Sequence, residues 1–575
     1  MTYVLDQAKK EIIEQLRTRL PETILISVNE LEEPPQRELG DLAYPCFSFS
    51  KEMKKAPAVI AAELAEQFEA TDLVAAAKSA GPYINFSFNL TGFSRGVLSD
   101  VITAQNTYGQ IREDQSTEKP KNLLIEYGQP NTHKEVHVGH LRNFFLGLSV
   151  VRITQAIGYK VIPISYIGDV GAHVAKCLWA YKKFHDTETP EPGHEGKFLG
   201  GIYTEASQLI ESDESLKEEV AEVQRALESD EPDPEWLALW QETRQWSLAE
   251  MNNIFAELGC EFEHTYYESE VECPGKKLVR QMLADGLAKE SQGAIVMDLE
   301  DDGLGIFLLL KSDGNSLYAT KDLALAKLKF KMYPNIDTSI HIVDTRQSLY
   351  FQQLFVALQR LGFDQHLVHL AHDFVTLKEG AMSSRKGNVI TYTEFRDQMM
   401  KVAQQETQQR HLDWSEDRVN QVAWLIAEGA MKFAMLKQDS DKPITFDPAE
   451  ALAFEGFTGP YVQYAHARMS SILAKIKGEK ISAAEGNFTE DEFAVLRTVA
   501  KLPAIIEEAA RLFRPSVLAQ YAFELAQQAS AFYRDVPVLT ALESDRGRRL
   551  EIVQAIAITL ESTLHLLGIR APKEM

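Results

Sequence analysis

Apolar and polar positions change rhythm along the chain. Leu5, Ile12, Leu16 and Leu20 recur at helical spacing and predict an amphipathic helix. Ile60, Leu64 and Phe68 predict a second helix behind Pro57, and residues 84–89 alternate like a strand. Residues 1–115 therefore read as a small α+β module, with Gly40 to Tyr44 between its helices. From about residue 121 short apolar runs take over, at 123–127, 161–164, 294–298, 306–310, 340–343 and 367–370. Such runs, separated by helical stretches, predict a mostly parallel sheet with helices on both faces, a doubly wound α/β domain over 116–415. Residues 186–258 are acidic and helix-patterned without a strand signal, and read as an insertion. From 416 to 575 the pattern is nearly all helical. Thr489 and Glu492 form a capping box ahead of Phe493, Leu496 and Ala500, so an α-helical bundle is expected.

A chain of 575 residues exceeds one hydrophobic core, and at roughly 100–200 residues per domain three or four units are expected. The hydrophobic share, 45 %, and the charged share, 25 %, are ordinary for a soluble globular protein. The first ten residues lack a signal-peptide pattern, and no apolar run is long enough to span a membrane. Cys46, Cys177, Cys260 and Cys273 are far apart and form no C-x-x-C pair, which argues against a disulfide framework and a zinc site. Reduced thiols and a cytoplasmic location follow. The net charge of −25 opposes a nucleic-acid partner. The acid is concentrated in 205–242, however, while 51–55 and 384–386 are locally basic, so local patches keep that partner open.

Four segments carry candidate chemistry. His137-Val138-Gly139-His140 follows the first predicted strand of the sheet and enters a helix, where a doubly wound fold binds nucleotides. Gly139 lets backbone approach a ligand, the helix N-terminus favours phosphate, and two imidazoles can donate to the oxygens on which charge develops. Alone, the pair also reads as chance or as a metal site. Met382-Ser383-Ser384-Arg385-Lys386-Gly387 is a basic loop after the last predicted strand, able to close over a triphosphate or simply solvated. Residues 313–324 read as a turn leading into a helix. Within them Asp322 is either a ligand carboxylate or the N-cap of a helix over 323–330, and Tyr318 either a ring platform or core. Tyr461, Tyr464 and Arg468 lie near one helical face, suited to stacking on unpaired bases or to ordinary packing.

Together these segments resemble the arginyl-tRNA synthetases, class I aminoacyl-tRNA synthetases, over essentially the whole chain. Pro130, Asn131, Lys134, the H-x-G-H motif with Val138 at its x, and Leu141-Arg142-Asn143 resemble that family's HIGH region. The loop at 382–387 resembles its KMSKS loop, with Ala381 and Ser384 standing where lysines are usual. The resemblance implies that Lys134 supplies the missing charge and that Ser383, Ser384, Arg385 and Lys386 surround ATP. Tyr318 to Asp322 resembles the family's Tyr-Ala-Thr-Arg-Asp element, with Lys321 for Arg. By that likeness Asp322 faces the guanidinium of arginine, Tyr318 packs on its plane and Gln347 lies in the same pocket. Asn131 and His137 map near the substrate's α-amino or carboxylate group, Glu126 is a candidate for the amino group, and Glu268 is a candidate second guanidinium carboxylate. Residues 456–468 resemble a DALR-type anticodon-binding domain, which implicates Tyr461, Tyr464 and Arg468 in tRNA binding, and Met575 of the family-like ending with them. The N-terminal module, with Gly40-Asp41 and residues 81–85, resembles the family's additional domain near the tRNA elbow.

The implied fold is a Rossmann-type class I catalytic domain between an α+β N-terminal domain and a helical anticodon-binding domain. The implied reaction activates L-arginine with ATP and Mg²⁺ and transfers it to the 3′ end of tRNA(Arg), by a monomer without protein-bound zinc. The resemblance further implies that the adenylate forms only with tRNA bound. A cysteinyl enzyme would need zinc ligands that are not visible here. A small nucleotidyltransferase shares H-x-G-H but needs neither end domain, and a non-catalytic tRNA-binding relative should have lost His137 and His140.

Overall fold

The computed structural model describes residues 3–110, 121–229, 231–378, 390–476 and 486–575. The N-terminal module contains α1 (Val4–Arg17), β1 (Leu42–Pro45), α2 (Pro57–Glu66), β2 (Val74–Ala80), β3 (Tyr83–Phe88) and α3 (Leu90–Ala104). Its antiparallel sheet has the order β1-β3-β2. Ile12 and Leu16 of α1 and Ile60 and Leu64 of α2 are buried, as their spacing predicts. Gly40 has φ 137°, and a Cβ there would come within 2.7 Å of the Phe86 carbonyl oxygen. The turn it allows aims Asp41, which accepts from the Phe88 amide at 2.8 Å and pairs with Arg497 at 3.0 Å. Asp41 thus fastens the module to the C-terminal domain.

The central domain is built on β4 (Asn122–Glu126), α4 (Val138–Ala156), β5 (Lys160–Ile167), α5 (Ala172–Ala180), then α6 (Glu195–Ser212), α7 (Leu216–Glu228) and α8 (Pro234–Leu258). It continues through β6 (His264–Tyr267), α9 (Glu268–Ala284), β7 (Lys289–Ser291), β8 (Ala294–Leu299), β9 (Gly305–Leu310), α10 (Tyr318–Met332), β10 (Thr338–Asp344), α11 (Ser348–Arg360) and β11 (His366–His372). Five strands form a parallel sheet in the order β11-β10-β4-β5-β6. Helices α6, α7 and α8 make up the acidic insertion.

Two strand expectations are corrected. The runs at 294–298 and 306–310 do not join the parallel sheet; they are β8 and β9 of an antiparallel β7-β8-β9 sheet. The link between them is a short turn, whereas a parallel pair needs a crossover of a dozen or more residues. The edge strand β6 was invisible as an apolar run because its residues are His264, Thr265, Tyr266 and Tyr267.

Helix α4 is buried on nearly every side, from Leu141 through Phe144, Phe145 and Leu148 to Ile153. An apolar helix without a polar face must lie between two layers. Here those layers are the sheet and the helical C-terminal domain, where the Ser149 hydroxyl donates to the Leu566 carbonyl at 2.9 Å. Gly147 allows this approach, since a Cβ there would come within 2.1 Å of Tyr127 Cγ just past β4. Helix α12 (Tyr392–Arg410) follows β11, and the C-terminal bundle consists chiefly of α13 (Glu416–Leu436), α14 (Gly459–Lys475), α15 (Glu490–Val499), α16 (Leu502–Leu512), α17 (Pro515–Asp535) and α18 (Glu543–Leu566). The capping box of Thr489 and Glu492 opens α15.

Candidate active site

In the parallel sheet the crossovers leave in opposite directions on either side of β4 and β10. Their C-terminal ends therefore form a crevice where such folds place ligands. The chain leaving β4 first runs beside the end of β5, where Thr132 donates its amide to the Gly168 carbonyl at 2.9 Å. Asn131 packs so closely on Gly168 that a Cβ there would come within 2.2 Å of its Oδ1, and Glu268 lies on the same side. After His133, whose φ is 60°, the chain reaches Lys134 and the start of α4.

His137 is the N-cap of α4. Its Nδ1 accepts the Gly139 amide at 3.1 Å, and its own amide donates to His140 Nδ1, also at 3.1 Å. With both Nδ1 atoms occupied as acceptors, the neutral tautomers carry their protons on Nε2. Burial, reinforced by the nearby Lys134 charge, lowers His137 to about 4, and burial with the neighbouring His137 and Lys134 holds His140 well below the ordinary imidazole range. Two neutral Nε2–H donors thus stand at a helix N-terminus, the arrangement that holds phosphate oxygens. The loop carrying Ser383, Ser384, Arg385 and Lys386 lies outside the described residues. The chain that leaves it is stitched to this turn: the Tyr392 amide donates to the Val136 carbonyl at 2.7 Å, and the Val138 amide to the Ile390 carbonyl at 3.3 Å.

Beyond the turn lie three acidic side chains. Glu126, at the end of β4, is buried and bound by Lys329 Nζ at 2.7 Å, with His341 at 3.7 Å. Burial alone would raise its pKa, but Lys329 and His341 hold it well below the usual carboxylate range. Glu268, at the start of α9, is paired with Lys321 at 2.6 Å. Asp322 has no ion pair among the described residues; its partner is the Tyr350 hydroxyl. Burial pushes Asp322 up to about 7 despite that hydrogen bond, with Glu126 adding to the rise. Tyr166, whose buried hydroxyl has no partner among the described residues, is in electrostatic reach of Asp322 and Glu268. Asp322 is not an N-cap, because α10 begins at Tyr318 with Leu317 as its cap.

Tyr318 is 69 % exposed, with Lys321 Nζ 5.6 Å from its ring centre, so it is free to cover a ligand and is not core. Gln347 is exposed in the short turn just past β10. The structure thus brings Asn131, Glu268, Asp322 and Glu126 near one another, with His137 at the head of the helix that follows β4, although the Glu126 carboxylate is already taken by Lys329 and His341. Sequence reasoning missed Tyr350, Tyr166 and Asp169. The last is fully buried and receives Arg244 at 2.7 Å and the Ser269 hydroxyl at 2.7 Å, which ties the insertion to β5 and α9. Its signal was the Gly168-Asp169 stop at the end of an apolar run; the two tyrosines gave none.

Tyr461, Tyr464 and Arg468 lie in the C-terminal bundle, on α14. Arg468 donates to the Tyr464 hydroxyl at 2.8 Å, and its guanidinium lies 4.6 Å from the Tyr464 ring centre and 4.5 Å from that of Tyr533. Tyr533, half-exposed on α17, had no signal in the sequence. Tyr461 is more structural: its ring meets Phe523 and its hydroxyl approaches Ser530 at 3.4 Å. The chain end lies along α14, where His466 meets the Pro572 carbonyl at 2.8 Å and Gln463 donates to the Arg570 carbonyl at 2.9 Å. Met575 is partly buried against the core.

A nucleotide crevice in a parallel sheet, an H-x-G-H turn at its switch point and a helical C-terminal domain define a class I aminoacyl-tRNA synthetase. Residues 100–447 match the family described as tRNA synthetases class I (R), catalytic domain. Residues 6–88 match the arginyl tRNA synthetase N terminal domain, and residues 462–575 the DALR anticodon binding domain. The chain is 38 % identical over 558 residues to an arginine–tRNA ligase of Bdellovibrio bacteriovorus, covering 95 % of this chain and 94 % of that protein. It is 34 % identical over 553 residues to arginine–tRNA ligase 1 of Bacillus cereus, with 95 % of each chain covered. It superimposes on the arginyl-tRNA synthetase of Thermus thermophilus with a TM-score of 0.81 at 29 % identity, over 99 % of both chains. The chain belongs to the arginyl-tRNA synthetase family.

Proposed function

We propose that this chain charges tRNA(Arg) with L-arginine in two steps, with ATP entering as its Mg²⁺ complex. In the first, an oxygen of the arginine carboxylate attacks the α-phosphorus of ATP; the bond to the β-phosphate oxygen breaks and pyrophosphate leaves. In the second, a ribose hydroxyl of the tRNA 3′-terminal nucleotide attacks the acyl carbon, loses its proton, and AMP leaves. His137 and His140 donate through Nε2 to the phosphate oxygens, and Gly139 keeps the approach open. Lys134 and the Ser383, Ser384, Arg385, Lys386 loop neutralise the triphosphate. Asn131 orients the α-amino and carboxylate end.

The observation that carries the choice of amino acid is the contrast among three neighbouring carboxylates. Glu126 is paired with Lys329 and Glu268 with Lys321, but Asp322 forms no ion pair among the described residues. An unpaired buried carboxylate is costly, and a planar guanidinium satisfies it with paired hydrogen bonds. A neutral side chain would leave it unpaired and be rejected. Tyr318 covers the guanidinium plane, and Gln347 and Glu268 border the same pocket. Asp322→Asn tests the reading, since it should weaken arginine without weakening ATP.

We further propose three functional units: 1–115 toward the tRNA elbow, 116–415 for catalysis, and 416–575 for the anticodon. Tyr464 and Arg468, with Tyr461 beneath them and Met575 at the chain end, face the tRNA. Aromatic rings beside a guanidinium suit stacking on unpaired bases. We propose a monomer acting in the cytoplasm, without a resident zinc ion. No group of three His, Cys, Asp or Glu side chains is poised for a metal among the described residues, and none of their helices is long and apolar enough to cross a membrane.

A further inference from the structure

The short segment between Asn131 and α4 is gripped from outside the sheet, at three consecutive residues, by the helical insertion. His133 is fully buried, with its amide donating to the Ser247 hydroxyl at 2.9 Å and Nε2 2.8 Å from the Thr243 hydroxyl, both on α8. The Thr243 hydroxyl gives its own hydrogen to the Leu239 carbonyl at 2.8 Å, so it accepts from His133 Nε2–H. His133 Nδ1 is left to the Thr132 hydroxyl at 2.9 Å. Burial, with the neighbouring Arg244, lowers the His133 pKa to about 3, which keeps this tautomer neutral. The clamp holds His133 at φ 60°, a left-handed conformation that a histidine does not adopt freely.

Lys134 is next, its Nζ 4.7 Å from the ring centre of Tyr203 on α6. Glu135 follows against Gly200 on the same helix, where a Cβ would come within 2.4 Å of Glu135 Cγ. A left-handed residue fixes the direction of the chain that follows it. The bonds that hold His133 left-handed therefore determine where the Lys134 amine starts, and the Tyr203 face gives that amine a resting place.

We propose that the helical insertion is the holder of the ATP lysine: Tyr203, Thr243 and Ser247 are positioning residues for adenylate formation, acting through His133 and Lys134. The inference rests on the reading of Lys134 as the cation that serves ATP. It gives the acidic insertion a role in the first chemical step, one that its composition does not suggest.

The test compares Ser247→Ala, Thr243→Val, Tyr203→Leu, Tyr203→Phe and Lys134→Met in full-length protein. Three quantities are measured: arginine-dependent ATP–pyrophosphate exchange with tRNA present, melting temperature, and the rate at which an amine-reactive probe labels Lys134, read by peptide mass spectrometry. Misplacement of a reacting group by about 1 Å costs up to ~10²-fold in rate. Ser247→Ala, Thr243→Val and Tyr203→Leu should therefore lower exchange kcat by about 10–100-fold, with arginine KM little changed. Each should speed labelling of Lys134, while Tyr203→Phe, which keeps the ring face, should stay near wild type in both. Should Thr243→Val fail to fold, Ser247→Ala and Tyr203→Leu carry the test. Unchanged exchange and labelling in these variants, with Lys134→Met inactive, overturns the holder and leaves the lysine reading standing. Full activity of Lys134→Met overturns the lysine reading itself.

Discussion

Asp322 accepts the hydroxyl of Tyr350, and this hydrogen bond alone does not offset its burial, so the carboxyl rises to about 7. The sign of the consequence is fixed. A carboxyl raised in the folded state favours folding at low pH, and that contribution is lost as pH rises through about 7. A bound guanidinium reverses this by favouring the ionised form. Arginine should therefore bind more tightly above pH 7 than below it, and should raise the melting temperature more at about pH 8 than at about pH 6. Asp322→Asn should flatten that difference and raise arginine KM by roughly 30-fold or more, the equivalent of ~2 kcal/mol. An unchanged KM in the variant would remove Asp322 from the pocket.

The two histidines make a second prediction, with the opposite kinetic signature. His140→Ala removes one Nε2–H donor and should lower kcat by roughly 10²–10³-fold, the usual loss for one such donor. Arginine KM should hold, because His140 is not among the acidic groups around Asp322. Near-normal charging by this variant would contradict its role at the α-phosphate. Asymmetry between the two is also expected. His137→Asn can still cap α4, whereas His137→Ala also loses the cap, worth about 1 kcal/mol of stability. Melting curves of the two variants separate the cap from the chemistry.

Much of this was legible in the sequence, for physical reasons. The H-x-G-H turn declares itself because glycine, histidine and a strand-to-helix switch occupy one short stretch. The parallel sheet declares itself wherever its strands are central and apolar, as at 123–127 and 340–343. The edge strand at His264–Tyr267 did not, because half-exposed edges tolerate His, Thr and Tyr. The antiparallel strands Ala294–Leu299 and Gly305–Leu310 looked like central ones, since periodicity does not reveal pairing. The N-cap alternative for Asp322 fails because α10 starts about one turn earlier, at Tyr318, where the local pattern gave no sign of it. Tyr350, Tyr533 and the His133 clamp depend on contacts between distant segments, which no local pattern encodes.

In the C-terminal bundle, the Arg468 guanidinium lies 4.6 Å from the Tyr464 ring centre and 4.5 Å from that of Tyr533. Arg468→Met should raise the KM for tRNA and make charging less sensitive to salt, since one cation facing the nucleic acid is lost. ATP and arginine KM should not move. If Arg468 serves only to pack the two tyrosines, melting temperature falls and the KM for tRNA stays where it was.

The lysine upstream of the histidines makes a fourth prediction. Ser384 stands where the family's catalytic lysine is usual, and Lys134 is the nearest basic substitute on the turn. Arginine-dependent ATP–pyrophosphate exchange should be near background without tRNA and appear when cognate tRNA is added. Strong exchange in nuclease-treated, tRNA-free protein would break the coupling. Lys134→Ala should abolish the exchange even with saturating tRNA. If it does not, Lys386 becomes the better candidate.

The central claim is that an unpaired carboxylate in a class I crevice selects arginine. It is tested most directly by charging total tRNA with each of the twenty amino acids in turn, in parallel reactions with this protein and ATP–Mg²⁺. Acid-stable label on tRNA should appear with arginine and remain at background with the other nineteen. Label with another amino acid at a comparable rate, or none with arginine, would contradict it.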